Sequence, residues 1–100
     1  MTVYVDNFRA PAVVGRIRGR WSHLTADTEA ELHAFAERLG LHRAWYQAKC
    51  KHGPCSPCPH WHYDVVDAKR QTAIQLGAKA IDIRELGAII RGRRTGEAAR

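Results

Sequence analysis

Thr28-Glu29-Ala30-Glu31 fixes a helix start at one point in the chain, and the residues after it restrict the kind of fold available. Thr28 reads as the N-cap, and Glu31, three residues on, as its reciprocal partner in a capping box. Leu32, Phe35, Ala36 and Leu39 recur at helical spacing, and Gly40 stands just past the end, where a left-handed residue is favoured. A second helix is predicted over 65–76, capped by Asp64 or Asp67 and ending at Gly77. When the chain is offset by 37, His23 falls on His60, Asp27 on Asp64, Ala36 on Ala73, Leu39 on Leu76 and Gly40 on Gly77. Both halves then read as strand, acidic cap, helix, Leu-Gly, strand. The short strands are VYVD (3–6), SHLTA (22–26) and AKAIDI (78–83), and a short third helix, RELGAIIR, spans 84–91. Strands alternating with helices predict one small α/β domain over 1–91, with two β-α-β-like halves packing two to three helices on a short sheet. Residues 7–15, with Pro11 and Gly15, read as loop, and 41–47 as strand or extended connection. Residues 92–100 lack apolar periodicity and read as a flexible basic tail.

One stretch does not fit this alternation. CKHGPCSPCPHWHYD (50–64) packs three cysteines, three histidines and three prolines into fifteen positions. Three cysteines cannot pair evenly, and MTVYVD at the start carries no basic leader or apolar core of a signal peptide. The expectation is a cytoplasmic protein with reduced thiols. Cys50, Cys55 and Cys58 then read as thiolate ligands, since a C-x2-C pair in a tight turn shares one ion. The prolines stiffen the chain around them. Zinc takes four N/S ligands, and His60, two residues past Cys58, is favoured as the fourth over His52 or His62. The insert 48–62 is thus expected to be a structural clip holding Zn2+. The alternatives are surface thiols or a redox pair at Cys55 and Cys58.

The chain carries sixteen basic against ten acidic side chains, a formal charge of +6, and twelve of the sixteen are arginine. Arginine's planar fork suits phosphate oxygens. In RIRGRW (16–21), Arg16, Arg18 and Arg20 fall on one side of an extended chain. The same segment, with its two glycines, also reads as a mobile basic loop. No apolar run approaches the roughly 20 residues of a membrane span.

The anchors YVDNFRAP (4–11), WSHLTADTEAELHAFAERLGL (21–41), HYD (62–64), KR (69–70) and LGA (76–78) together resemble domain-of-unknown-function family 4031, a family of small uncharacterised actinobacterial and phage proteins. The resemblance covers about residues 3–87 and implies no activity. It does imply that many relatives have a short connection at 48–61. The cysteine stretch is then an elaboration and HYD part of a shared core, which is the reason for giving His60 to the metal and His62 to another site.

That second site is drawn from polar residues of the anchors. His62 and Asp64 share one side of an extended HWHYD, with Trp61 and Tyr63 on the other. With His23 and His33 they form a candidate acid/base group. Arg70, which falls between Val66, Ala73, Ile74 and Gly77 on the second helix, must be paired or line a site. Arg70, Lys69, Arg9, Asp6, Arg16, Arg18 and Arg20 are the candidates for a phosphate-bearing ligand. Plainer roles compete with these. Asp27 and Asp64 suit helix caps, His23 and His33 suit hydrogen-bonded core positions, and Arg70 suits an ion pair with Asp6 or Asp64. Three functions stand as expectations. The first is a zinc-stabilised module binding nucleic acid or another phosphate ligand, with Trp21, Trp45 and Trp61 as stacking surfaces. The second is a small, nuclease-like hydrolase, which requires His23, His33, His62, Asp64 and Arg70 to converge. The third is an adaptor for a protein partner.

Overall fold

The computed structural model describes residues 2–48 and 60–94. Cys50, Cys55 and Cys58 lie outside the described residues, and with them the expected zinc clip.

Strand β1 (Val3–Val5) leads through residues 6–9 into β2 (Ala10–Val14), which turns back into β3 (Ile17–Ala26). The β2–β3 turn holds Gly15 at φ +62°, a conformation that L side chains rarely adopt. Residues 10–14 thus form a strand where Pro11 and Gly15 predict a loop. Proline is tolerated because, among the described residues, β2 pairs only with β3, so the absent N–H breaks no ladder. The arginine segment and SHLTA merge into one ten-residue strand. Gly19 is required there, because a Cβ would stand 2.7 Å from a Val66 methyl.

Helix α1 (Glu29–Arg38) forms as expected: Thr28 Oγ1 accepts from the Glu31 amide and bonds the Glu31 carboxylate, and Gly40 takes φ +77°. A 3-10 turn at Arg43–Trp45 occupies the region read as extended, and Gln47 makes a single antiparallel bridge to His62. After the undescribed segment come β4 (Tyr63–Val66), α2 (Asp67–Gln75), β5 (Lys79–Ala80) and α3 (Ile83–Arg94).

The sheet has five strands and is mixed. β1 and β2 lie end to end along one edge of β3, both antiparallel, and β4 takes the opposite edge, also antiparallel. β5 pairs parallel to β1. The two halves are therefore not equivalent. β4–α2–β5 is a β-α-β crossover, whereas α1 connects β3 to an antiparallel neighbour. The offset of 37 breaks at its acidic positions. Asp27 accepts from the Thr2 amide and the Tyr4 hydroxyl, while Asp64 sits within β4. Helix α2 starts after Val66 with no side-chain cap.

Pleating sends alternate residues to opposite faces. Val5, Leu24, Ala26, Tyr63 and Val65 point to one face and form the core with Leu32, Phe35, Ala36 and Leu39 of the α1 region and Ala73 of α2. Asp6, His23, Thr25, His62 and Asp64 point to the other. Arg93, near the end of α3, reaches this second face. Its guanidinium carbon stacks 3.4 Å from the Trp61 ring centroid, and Nη2 donates to Thr25 Oγ1 and to the Ala26 carbonyl. Burial pushes the Arg93 pKa down to about 10. Residues 92–94 thus belong to α3 and not to a tail. No helix among the described residues is long and apolar enough to cross a membrane.

Candidate functional site

The second face gathers four polar side chains from three segments. His23 on β3 stands directly opposite Asp64 on β4 in the strand register. Asp6 extends the β1 ladder by one rung, its amide donating to the His23 carbonyl at 3.0 Å. His62 precedes β4 by one residue and is held by the two backbone bonds of the Gln47 bridge, at 2.9 and 3.0 Å. Residues i and i+2 of a strand share a face, which puts His62 beside Asp64.

Asp6 is fully buried, and each of its oxygens is used. Oδ1 accepts from the amides of Phe8 (3.2 Å) and His23 (2.9 Å), and Oδ2 lies 2.6 Å from His23 Nδ1. Burial pushes this carboxyl up. The bonds from the His23 ring and the two amides outweigh it, and the group sits below the usual carboxylate range. An ionised Asp6 can only accept, so His23 Nδ1 carries the proton, and the neutral ring has its lone pair at Nε2. The turn at 6–9 that makes this geometry bends through Arg9 at φ +47°, an uncommon region for a non-glycine residue. Ser22 Oγ supports it by accepting from the Arg9 amide at 3.1 Å.

His62 shows the same design by another route. Its Nδ1 lies 2.6 Å from the His60 carbonyl, which can only accept, so Nδ1 donates. Nε2 then faces Asp64 Oδ1 at 3.2 Å. The other Asp64 oxygen accepts from Gln47 Nε2 at 2.6 Å. Burial pushes Asp64 up, but His62, Gln47 and His23 together pull it below the usual range. The His23 and His62 rings meet edge to face with centroids 5.0 Å apart, and Phe8 stacks on His23 at 5.4 Å. Phe8 is itself half exposed.

The remaining candidates lie elsewhere. His33 is on the opposite face of the sheet, 2.8 Å from the Tyr63 hydroxyl and packed on the Tyr46 ring. Lys69 donates to the Leu39 carbonyl at the end of α1. Arg70 reaches the edge of the cluster. Its Nε donates to the Asp6 carbonyl at 2.8 Å, and not to the Asp6 or Asp64 carboxylate that the plainer ion-pair alternative named. Arg9 forms a two-pronged ion pair with Asp67, the shortest contact being 2.8 Å. Arg16, Arg18 and Arg20 are exposed along the β2–β3 hairpin. Trp61 lies under Arg93, and Trp45 is the most exposed of the three tryptophans. His60 lends its carbonyl to His62.

Two contributors were not among the residues singled out in the sequence. Gln47 lies in a connection with no pattern of its own. Phe8 falls within the YVDNFRAP anchor, which was the only signal for it.

These features define a small α/β protein with a histidine–aspartate cluster on the sheet face opposite its core. The chain belongs to DUF4031, a family of proteins of unknown function, whose model matches residues 3–93. No curated protein and no solved structure matches it.

Proposed function

We propose that the chain is a small hydrolase whose water-activating centre is the cluster of His23, His62 and Asp64, oriented by Asp6. The observation that carries this reading is the convergence of Asp6, His23, His62 and Asp64 from three separate segments, with Arg70 at its margin. Both imidazoles have a partner that fixes Nδ1 as donor and sets the orientation of the ring. A base held in one tautomer and one orientation is what proton abstraction from water requires. In the proposed step the water oxygen bonds the electrophilic centre of an ester and loses a proton to the cluster. The ester bond breaks, and the departing oxygen takes a proton up. The formal charge of +6 and the exposed arginines favour an anionic, phosphate-bearing substrate. Half-exposed Phe8, stacked on His23, offers an aromatic surface beside the reacting centre.

The test is turnover of a panel of phosphomonoesters, phosphodiesters and short single-stranded DNA and RNA. His62→Ala and His23→Ala are expected to lower the rate on any accepted substrate by about 10²–10⁴-fold. His33→Ala, on the other face, is expected to leave it within a few-fold. Equal turnover in His62→Ala and the parent would retire the reading.

A second reading, nucleic-acid binding without catalysis, is favoured by the arginines exposed along the hairpin. It predicts affinity that falls steeply with salt as counterions are released.

A further inference from the structure

Three groups in the cluster are each held from behind by a second group. Asp6 holds the His23 ring at Nδ1, the His60 carbonyl holds the His62 ring at Nδ1, and Gln47 holds Asp64 at Oδ2. In metal centres such outer partners fix which atom of each ligand points inward. The ligand atoms offered by His23, His62 and Asp64 lie within 4.8 Å of one another. One pair, His62 Nε2 and Asp64 Oδ1, stands at 3.2 Å. Two ligands on one tetrahedral ion, with bonds of about 2.0–2.1 Å, are separated by roughly 3.3 Å.

That pair also poses a chemical question. With its proton on Nδ1, a neutral His62 turns a lone pair toward a carboxylate oxygen, and two acceptors at this distance repel. Something positive must stand between or beside them. A proton on Nε2 is one answer. A cation shared with His23 is the other, and it uses the ring that a buried carboxylate orients at the same point.

We infer that His23, His62 and Asp64 form a binding site for a divalent first-row transition-metal ion. Two imidazoles and one carboxylate leave coordination positions open for water or substrate, as catalytic rather than structural metal sites do. This site is distinct from the thiolate clip expected at Cys50, Cys55 and Cys58. It rests on reading this cluster as the functional centre; when loaded, the ion would take over from the imidazoles the acidification of a bound water. Asp6 and Gln47 are positioning residues in this scheme.

The experiment is a Co2+ titration of chelator-treated protein, monitored by visible absorption, in the parent and in a Cys50→Ser/Cys55→Ser/Cys58→Ser variant. The expected result is one Co2+ bound by the triple variant without thiolate-to-cobalt absorption. Adding His62→Ala or Asp64→Ala should abolish that binding, and Asp6→Asn should weaken it by about 10–100-fold. His33→Ala should leave it unchanged. If the triple variant does not fold, the parent should still show a Co2+ equivalent free of thiolate bands that His62→Ala removes. Loss of all Co2+ binding in a folded triple variant, or binding indifferent to His62→Ala, overturns the site. Metal bound with no turnover on any ester keeps the site and retires the hydrolase. Turnover that persists in chelator, with no Co2+ bound by the folded triple variant, does the reverse.

Discussion

Asp6 Oδ2 lies 2.6 Å from His23 Nδ1, and this one contact sets the tautomer of the ring at the centre of the cluster. Asp6→Asn changes almost nothing in volume. Its carbonyl oxygen can go on accepting from the Phe8 and His23 amides, but its NH2 group then faces Nδ1. His23 must move its proton to Nε2, so the lone pair turns away from Asp64. Nitrogen-15 NMR of the imidazoles should show the tautomer exchanged in Asp6→Asn. A spectrum unchanged from the parent would mean that Asp6 does not control the ring.

Arg70→Met tests what joins α2 to the site. Because Arg70 donates Nε to the Asp6 carbonyl, its replacement loses one bond from a charged donor. The expected cost is about 1–2 kcal/mol in urea unfolding. A loss of roughly 3–5 kcal/mol would instead mark a broken buried ion pair.

Arg93 ties α3 to the sheet through the Trp61 ring, Thr25 Oγ1 and the Ala26 carbonyl. Lysine keeps the charge but has neither the fork nor the planar stack. Arg93→Lys is therefore expected to lower stability by about 1–2 kcal/mol. Removing 92–100 should lower the melting temperature clearly more than removing 95–100. Equal melting temperatures for the two truncations would show that Arg93 is not an anchor.

His33 gives the fold an acid-sensitive limb. Burial, and then the positive charge of Arg43, hold its pKa below the ordinary value of 6.5. The unfolded chain, with the ordinary value, binds this proton more readily than the fold does. Stability is therefore whole above pH 6.5 and declines as pH falls from there toward the lower folded value. Melting temperature measured from about pH 8 to about pH 5 should fall in the parent and be flatter in His33→Gln. Identical slopes would remove His33 from the account.

Legibility in the sequence tracks the range of the interactions. Helix α1 could be placed because capping and 3.6-residue periodicity act within a dozen residues. The shared side of His62 and Asp64 was legible for the same reason, since alternation is local. Asp6 and His23 could be named but not joined. Their contact depends on the register of β1 against β3, seventeen residues apart in the chain. The role of Asp27 is not legible locally, because its partners, Thr2 and Tyr4, lie at another strand. Pro11 concealed β2, since the rule against proline in strands relaxes at an edge. His33 was grouped with the other histidines by residue type, and only the pleat that sends Tyr63 to the core face separates it from them.

The Gln47–His62 rung closes the neck of whatever lies between them. Because the chain departs at Gln47 and returns at His62 as hydrogen-bonded neighbours, the length of the intervening segment is decoupled from the aim of the imidazole. Doubling a loop costs only about 0.6 kcal/mol in closure entropy. Such a position is a natural docking point for grafted sequence. Residues 60 and 61 stay part of the site, the His60 carbonyl holding the His62 ring and Trp61 lying under Arg93, so a change in the number of residues between 48 and 60 leaves the rung and the aim of the imidazole in place.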